Sequence, residues 1–238
     1  MGNSGTLRTG IIGASGYTGV ELLRLLAAHP VLDVVYATGD TQAGTLASSL
    51  YPSLAAAYPS LVFAEYDPAE AAKCDVLFLG LPHEASMALV PQLHGEVRLI
   101  VDLSAAFRLT DAALYPTWYG FTHDEPALLK QAVYGLPELY REQLAGASLI
   151  ATPGCYVTAA SLALAPLVRA GVIDASSVIV DAASGVSGAG RTPKPNTHFN
   201  TVDEDFTAYG LLDHRHTPEM EQVTGAKVLF TPHLAPMN

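Results

Sequence analysis

Gly10-Ile11-Ile12-Gly13-Ala14-Ser15-Gly16-Tyr17-Thr18-Gly19 is a short apolar run that breaks into glycines spaced G-x-x-G-x-x-G. A helical pattern follows from Val20 to Ala28, with apolar residues at Val20, Leu22, Leu23, Leu25 and Leu26, and then a second apolar run, Leu32 to Ala37. Strand, glycine turn, helix and strand make a βαβ unit. Glycines at this turn let the backbone approach a pyrophosphate, and the helix start supplies N–H donors and positive potential, although the same turn also forms with no ligand. Gly13, Ser15, Gly16, Tyr17, Thr18 and Gly19 are therefore candidate cofactor-binding residues. Asp40 stands about twenty residues further on, where an acid often holds the ribose 2′-hydroxyl of NAD. No Arg or Lys lies near it for a 2′-phosphate, but Thr38, Thr41 and Gln42 could donate hydrogen bonds to one. The loop alone leaves NAD against NADP open.

The alternation continues outward. Further strands are expected at Leu61–Ala64, Val76–Leu79 and Leu99–Val101, with helices at about Pro68–Lys73 and Ala85–His94. This is the pattern of an α/β fold with a doubly wound parallel sheet and right-handed crossovers. After Leu103 the texture becomes aromatic and turn-rich, and Leu149-Ile150-Ala151 reads as a sixth strand. Beyond it the pattern predicts a helix to Ala170, a strand at Val178–Ala183, a Gly/Pro/Asn-rich stretch from Ser184 to Asn200, a helix from Pro218 and a strand at Lys227–Phe230. Thr217 is positioned to cap that last helix, with Pro218 as its first residue. A domain boundary is expected near Cys155, giving a dinucleotide-binding domain over 1–154 and the N-terminal part of an α+β catalytic domain over 155–238.

With 238 residues, half of them hydrophobic, the chain can bury a sizeable core. Its net charge of −11 argues against a nucleic-acid partner, because phosphate-backbone binding depends on clustered Lys and Arg. The apolar stretches are interrupted well short of a membrane span, and the N-terminus lacks a basic segment followed by an apolar one. Cys74 and Cys155 are the two cysteines, too few for a disulfide scaffold, so a reducing, cytoplasmic setting is expected.

Thr152-Pro153-Gly154-Cys155-Tyr156-Val157-Thr158 ends an apolar run in a Pro-Gly turn and begins a helical pattern on Cys155. The first turn of a helix offers N–H groups without intrahelical partners and a partial positive charge, which favour thiolate over thiol. Most free cysteines are small buried hydrophobes, so position alone does not assign Cys155 a role. A thiolate combined with a bound dinucleotide would give acyl transfer onto sulfur coupled to hydride transfer. The general acid/base such chemistry needs is best sought in His214-Arg215-His216-Thr217-Pro218-Glu219. Arg108 and Arg191, in loop-like segments, suit a bidentate grip on carboxylate or phosphate.

In order along the chain, the glycine loop 13–19, Leu81-Pro82-His83, Asp102-Leu103-Ser104, Phe107-Arg108-Leu109, Tyr134-Gly135-Leu136-Pro137-Glu138, Pro153-Gly154-Cys155-Tyr156, Ser184 to Arg191, His214 to Glu219 and Thr231 to Asn238 resemble the N-acetyl-gamma-glutamyl-phosphate reductases, in the superfamily that also holds aspartate-semialdehyde dehydrogenase. The series spans Thr9 to the last residue. The resemblance implies a cytoplasmic, homo-oligomeric enzyme of arginine biosynthesis with an NADP-binding Rossmann domain and an α+β catalytic domain. It implies Cys155 as the nucleophile toward an acyl phosphate and His214 or His216 as acid/base, with His214 preferred. It further implies Ser104, Arg108 and Arg191 for phosphate or carboxylate, and Ser187 and Gly188 for the cofactor. Ala106 and Val157 depart from the family pattern at tolerable positions. The end at Asn238 departs more, since family members continue for roughly another hundred residues, and an unfinished sheet would expose edge strands and apolar surface. Rival readings are the same chemistry on a carrier-linked aminoadipyl or glutamyl phosphate or on aspartyl phosphate, and a dinucleotide-binding module that has lost catalysis.

Overall fold

The apolar runs around the glycine turn pair as one parallel sheet. In the computed structural model, which describes residues 5–238, the strands are β1 (Leu7–Ile12), β2 (Leu32–Ala37), β3 (Val76–Leu79), β4 (Leu99–Asp102), β5 (Val133–Tyr134) and β6 (Leu149–Ala151). They lie in the order β2-β1-β3-β4-β6-β5. Ile11, Leu77, Leu79, Ile100 and Leu149 are fully or almost fully buried, as expected of strands covered on both faces. The helix α1 (Tyr17–Leu26) buries Gly19, Leu23 and Leu26 and joins β1 to β2. The helix α2 (His83–Leu93) buries Ser86, Val90 and Leu93 between β3 and β4. From β1 the chain winds outward to β2 and then back through β1's other neighbour, β3, so the order reverses between β1 and β3. Crevices at such a switch point are where open α/β sheets hold ligands.

One expected strand does not form. Leu61–Ala64 makes isolated bridges, Leu46 to Val62 and Thr38 to Ala64. Its backbone groups are divided between two partners: Ala64 N–H donates to Ala37 O, while Phe63 bonds Thr45 and Gly44, so no ladder develops. Phe63 still enters the core beside Ile11, Leu23 and Leu54.

The chain parts into two compact units. Among the described residues the first takes 5–107, 130–135 and 140–152; the second takes 108–129, 136–139 and 153–238. The second unit contains the helix α3 (Cys155–Arg169), the strands β7 (Val178–Gly185), β8 (Thr207–Ala208) and β9 (Val228–Ala235), and the helix α4 (His216–Thr224). Its sheet runs β7-β9-β8, with β7 parallel and β8 antiparallel to β9. Val228 and Phe230 are buried, whereas Ile179 and Leu229 are 67% and 47% exposed, so one side of this sheet presents apolar surface.

The helix α4 starts two residues before the expected point, at His216, with Arg215 at its N-cap and no side-chain cap. Thr217 is thus inside the first turn. Pro218 is accommodated there because first-turn N–H groups have no intrahelical acceptor to lose. No helix among the described residues is long and apolar enough to cross a membrane.

Candidate active site

In the first unit a cleft of about 830 Å³ opens at the switch point. Ile12, Gly13, Ser15 and Gly16 line it from the end of β1, Gly80, Leu81 and Pro82 from the end of β3, and Thr38 and Asp40 from the end of β2. Gly13 adopts φ +86° at the turn and donates its N–H to Thr38 Oγ1 (3.0 Å). Ser15 Oγ donates to Gly39 O (2.9 Å), and Tyr51 Oη donates to Ser15 O (2.7 Å), so the loop is held from three sides. Gly16, the N-cap of α1, has no side-chain cap. A methyl group built on it would meet only Gly13 O, at 3.7 Å, an ordinary contact. The fold itself therefore tolerates a side chain at Gly16, and the space in front of it is cleft. Bare backbone facing a cavity at a helix start fits a dinucleotide pyrophosphate.

Of the residues expected to touch a cofactor, Gly13, Ser15, Gly16 and Thr38 line this cleft. Tyr17, Thr18, Gly19 and Thr41 are not among its lining residues: Tyr17, Thr18 and Thr41 are exposed next to them in the chain, and Gly19 is buried against Ala14. Ser104 is 3% exposed and lines neither cavity. Its hydroxyl donates to the buried Asp102 (2.8 Å) and accepts Ala106 N–H (3.0 Å), while Asp102 also accepts Ser86 Oγ (2.5 Å), a network that shapes the turn after β4.

In the second unit a cavity of about 700 Å³ is built around the start of α3. Cys155 is exposed there as the first residue of the helix. The first intrahelical bond runs from Thr158 N–H to Gly154 O (2.9 Å), so the N–H groups of Cys155, Tyr156 and Val157 precede the helical ladder. Gly154 is pinned by Glu219 of α4, whose Oε1 accepts its N–H (3.0 Å). Glu219 is fully buried, and its Oε2 lies 3.6 Å from Nη1 of Arg108, itself 9% exposed. One turn earlier on α4, His216 packs so closely on Gly154 that an added methyl would lie 2.7 Å from its Cε1. His216 and Glu219 are i and i+3 on one helical face, and both meet Gly154.

His214 sits among the rings of Tyr156, Tyr209 and Phe230, at centroid distances of 5.8, 5.5 and 5.1 Å. Burial, reinforced by the neighbouring Arg215 charge, pushes its pKa down to about 4. Its Nδ1 accepts His216 N–H (3.1 Å). An imidazole that is neutral and accepts at Nδ1 carries its hydrogen on Nε2. Burial also raises the Tyr209 hydroxyl pKa, which its hydrogen bond with Tyr156 raises further. Arg215 lines the cavity and stacks over Tyr119 at 5.8 Å.

The cavity thus brings together Cys155, His214, His216, Arg108 and Gly188 of the expected residues. Arg191 and Ser187 are not among its lining residues; Lys194 and Arg215 are. Gly188 stands on the thiol cavity and not on the dinucleotide cleft. A buried acid such as Glu219 has no compositional signature, and its i+3 spacing from His216 is the trace it leaves in the sequence.

Residues 8–147 match the semialdehyde dehydrogenase NAD binding domain, and residues 155–238 match the semialdehyde dehydrogenase dimerisation domain. The chain is 50% identical to the N-acetyl-gamma-glutamyl-phosphate reductase of Symbiobacterium thermophilum, over 98% of this chain and 68% of that protein. The chain belongs to the N-acetyl-gamma-glutamyl-phosphate reductase family. The Methanopyrus kandleri reductase of that name is also 50% identical, over 96% of this chain and 68% of that one. Among solved structures, aspartate semialdehyde dehydrogenase with NADP from Candida albicans superposes with a TM-score of 0.70 at 14% identity, covering 98% of this chain and 68% of that one. Aspartate semialdehyde dehydrogenase II from Vibrio cholerae, complexed with ASA, gives 0.67 at 14% identity over 98% and 71%. At that identity the likeness shows the fold alone. Membership in the reductase family agrees with a glycine cleft and a helix-start thiol carried on separate units.

Proposed function

We propose that the chain reduces N-acetyl-L-glutamyl 5-phosphate to N-acetyl-L-glutamate 5-semialdehyde, releasing phosphate, as a step of arginine biosynthesis. The observation that carries the reading is the start of α3, where an exposed Cys155 shares a cavity with two histidines and three cations, Arg108, Lys194 and Arg215. Relatives named N-acetyl-gamma-glutamyl-phosphate reductase, at about half sequence identity, support the choice of acyl group.

In this reading the Cys155 thiolate attacks the acyl carbonyl; a carbon–sulfur bond forms, the carbon–oxygen bond to phosphate breaks, and phosphate leaves with its electron pair. Passing through a thioester replaces one difficult displacement with two easier ones. The N–H groups at the start of α3 face the developing oxyanion. Gly13, Ser15, Gly16 and Thr38 of the first unit would hold a reduced dinucleotide, NADPH by the family resemblance, which would supply the hydride for the thioester carbon. The resulting thiohemiacetal then collapses to the aldehyde, returning the thiolate. His216 is the acid/base that serves the substrate oxygen: its ring packs on Gly154 next to the thiol, whereas His214 is held neutral with its Nδ1 committed to the His216 backbone. His214 is then a positioning residue for His216. Arg108, with Lys194 and Arg215, holds the anionic groups of the substrate. The match of residues 155–238 to a dimerisation domain supports assembly from like copies, and a biosynthetic reductase of this kind belongs in the cytoplasm.

The test is phosphate-dependent oxidation of N-acetyl-glutamate semialdehyde followed at the nicotinamide absorbance, with aspartate semialdehyde as the competing substrate. Cys155→Ser is expected to lose at least a thousandfold in kcat. A serine variant within tenfold of wild type removes Cys155 from the mechanism, and faster turnover of aspartate semialdehyde removes the acyl-group assignment.

A further inference from the structure

The dinucleotide cleft has an unusual charge inventory. Its lining residues carry two carboxylates, Asp40 and Glu65, and among the described residues no Lys, Arg or His lines it. The side chains that could cradle a 2′-phosphate are placed otherwise. Thr38 is 3% exposed, and its hydroxyl oxygen accepts Gly13 N–H. Thr41 and Gln42 do not line the cleft. Asp40, by contrast, lines it on a backbone that is held in place. It adopts φ +48° in a one-turn 3₁₀ segment whose bonds run from Gln42 N–H to Gly39 O (2.9 Å) and from Ala43 N–H to Asp40 O (2.9 Å). Gly39 is in turn anchored by its N–H to Ala64 O (3.0 Å) and by Ser15 Oγ to its carbonyl.

We infer that this cleft accepts NAD alongside NADP, and that Asp40 is the residue that admits it. The inference rests on the dinucleotide reading of the first unit but not on the chemistry at Cys155. A carboxylate carried on such a held backbone just past β2 accepts hydrogen bonds from the adenosine ribose hydroxyls of NAD. The same carboxylate repels a 2′-phosphate, which has lost the hydroxyl donor and gained negative charge. With no cation in the lining to offset that repulsion, the cleft lacks the feature that makes a site selective for NADP. The glycine cradle, which meets the shared pyrophosphate, is indifferent to the choice.

The experiment is isothermal titration of the full chain with NAD and with NADP separately, a readout that needs no turnover. Wild type is expected to bind NAD with a Kd no more than tenfold above that for NADP; NADP bound more than tenfold tighter overturns the inference. Asp40→Asn keeps a residue that tolerates positive φ and removes the charge. It is expected to move the ratio of the two Kd values toward NADP by about tenfold, the size of one charge-assisted hydrogen bond. A shift below threefold overturns the role of Asp40. Asp40→Gly, equally at ease with positive φ, is expected to shift the ratio in the same direction, and a melting curve verifies that both variants are folded. Failure to bind either nucleotide overturns the dinucleotide reading together with the inference. Tight NADP with weak NAD overturns the inference alone.

Discussion

Gly154→Ala adds one methyl group at the point where α3 and α4 meet, and its consequence is worked from the geometry. Gly154 has φ −64° and ψ 152°, values open to alanine, so the substitution introduces no backbone strain. The new Cβ would lie 2.7 Å from His216 Cε1 and 2.8 Å from Cδ2. Carbon contacts relax at about 3.5–4.0 Å, so either the imidazole or the start of α3 must move by roughly 1 Å. Overpacking of this kind costs about 1–3 kcal/mol, a fall in Tm of roughly 2–12 °C for a chain of this size. The larger effect is expected in catalysis, since a displacement of about 1 Å between reacting groups costs on the order of a hundredfold. The measurement pairs kcat in the semialdehyde assay with a melting curve. Gly154→Ala/His216→Ala serves as the control: removing the ring makes room for the methyl group, so most of the stability returns while kcat stays low. A Gly154→Ala enzyme within threefold of wild-type kcat would refute the view that His216 acts from its position over Gly154.

Glu219→Ala removes the acceptor of Gly154 N–H and the carboxylate opposite the buried Arg108. Loss of one partner of a buried pair costs about 3–5 kcal/mol, with Glu219→Gln costing less because it keeps an acceptor for Gly154. A circular-dichroism melt of the alanine variant that overlays wild type would show that this pair does not support the fold. His214 gives a pH signature: its pKa of about 4 in the fold lies below the ordinary value of 6.5. Between those values the unfolded chain binds a proton that the folded chain does not, so stability falls as the pH drops from 6.5 toward 4 and this contribution levels off below it. Melting temperatures of wild type and His214→Gln across that window are expected to converge at the acid end, and parallel curves would remove His214 as the source.

The first unit was largely legible because its determinants are local. A buried strand, a glycine turn and an amphipathic helix each leave a periodic trace, and parallel strands covered on both faces read as continuous apolar runs. The failure at Leu61–Ala64 is of another kind: the run is apolar enough for a strand, but its hydrogen bonds go to two different neighbours. Pairing partners are not written in periodicity. Nor is it written that the aromatic segment 108–129 packs with the second unit, which places Arg108 beside Glu219 although the two are far apart in sequence. Ser104 illustrates the converse. Its surroundings, Asp102-Leu103-Ser104, read as a binding loop, yet both polar side chains turn inward and bond each other.

The thiol site joins two stretches that the sequence presents as separate signals, Pro153-Gly154-Cys155 and His216-Thr217-Pro218-Glu219. Each alone is weak: a cysteine at a helix start, and a histidine before an acid. Their connection is steric and polar at a single residue. Because Gly154 has no side chain, the His216 ring can lie against it; because Gly154 is an N-cap, its N–H is available to Glu219 three residues further along the same helical face. One helical turn of α4 therefore sets both the position of the ring and the orientation of the helix that begins with Cys155. The spacing His-x-x-Glu and the glycine before the cysteine are one requirement, and changing either side of it should disturb the other.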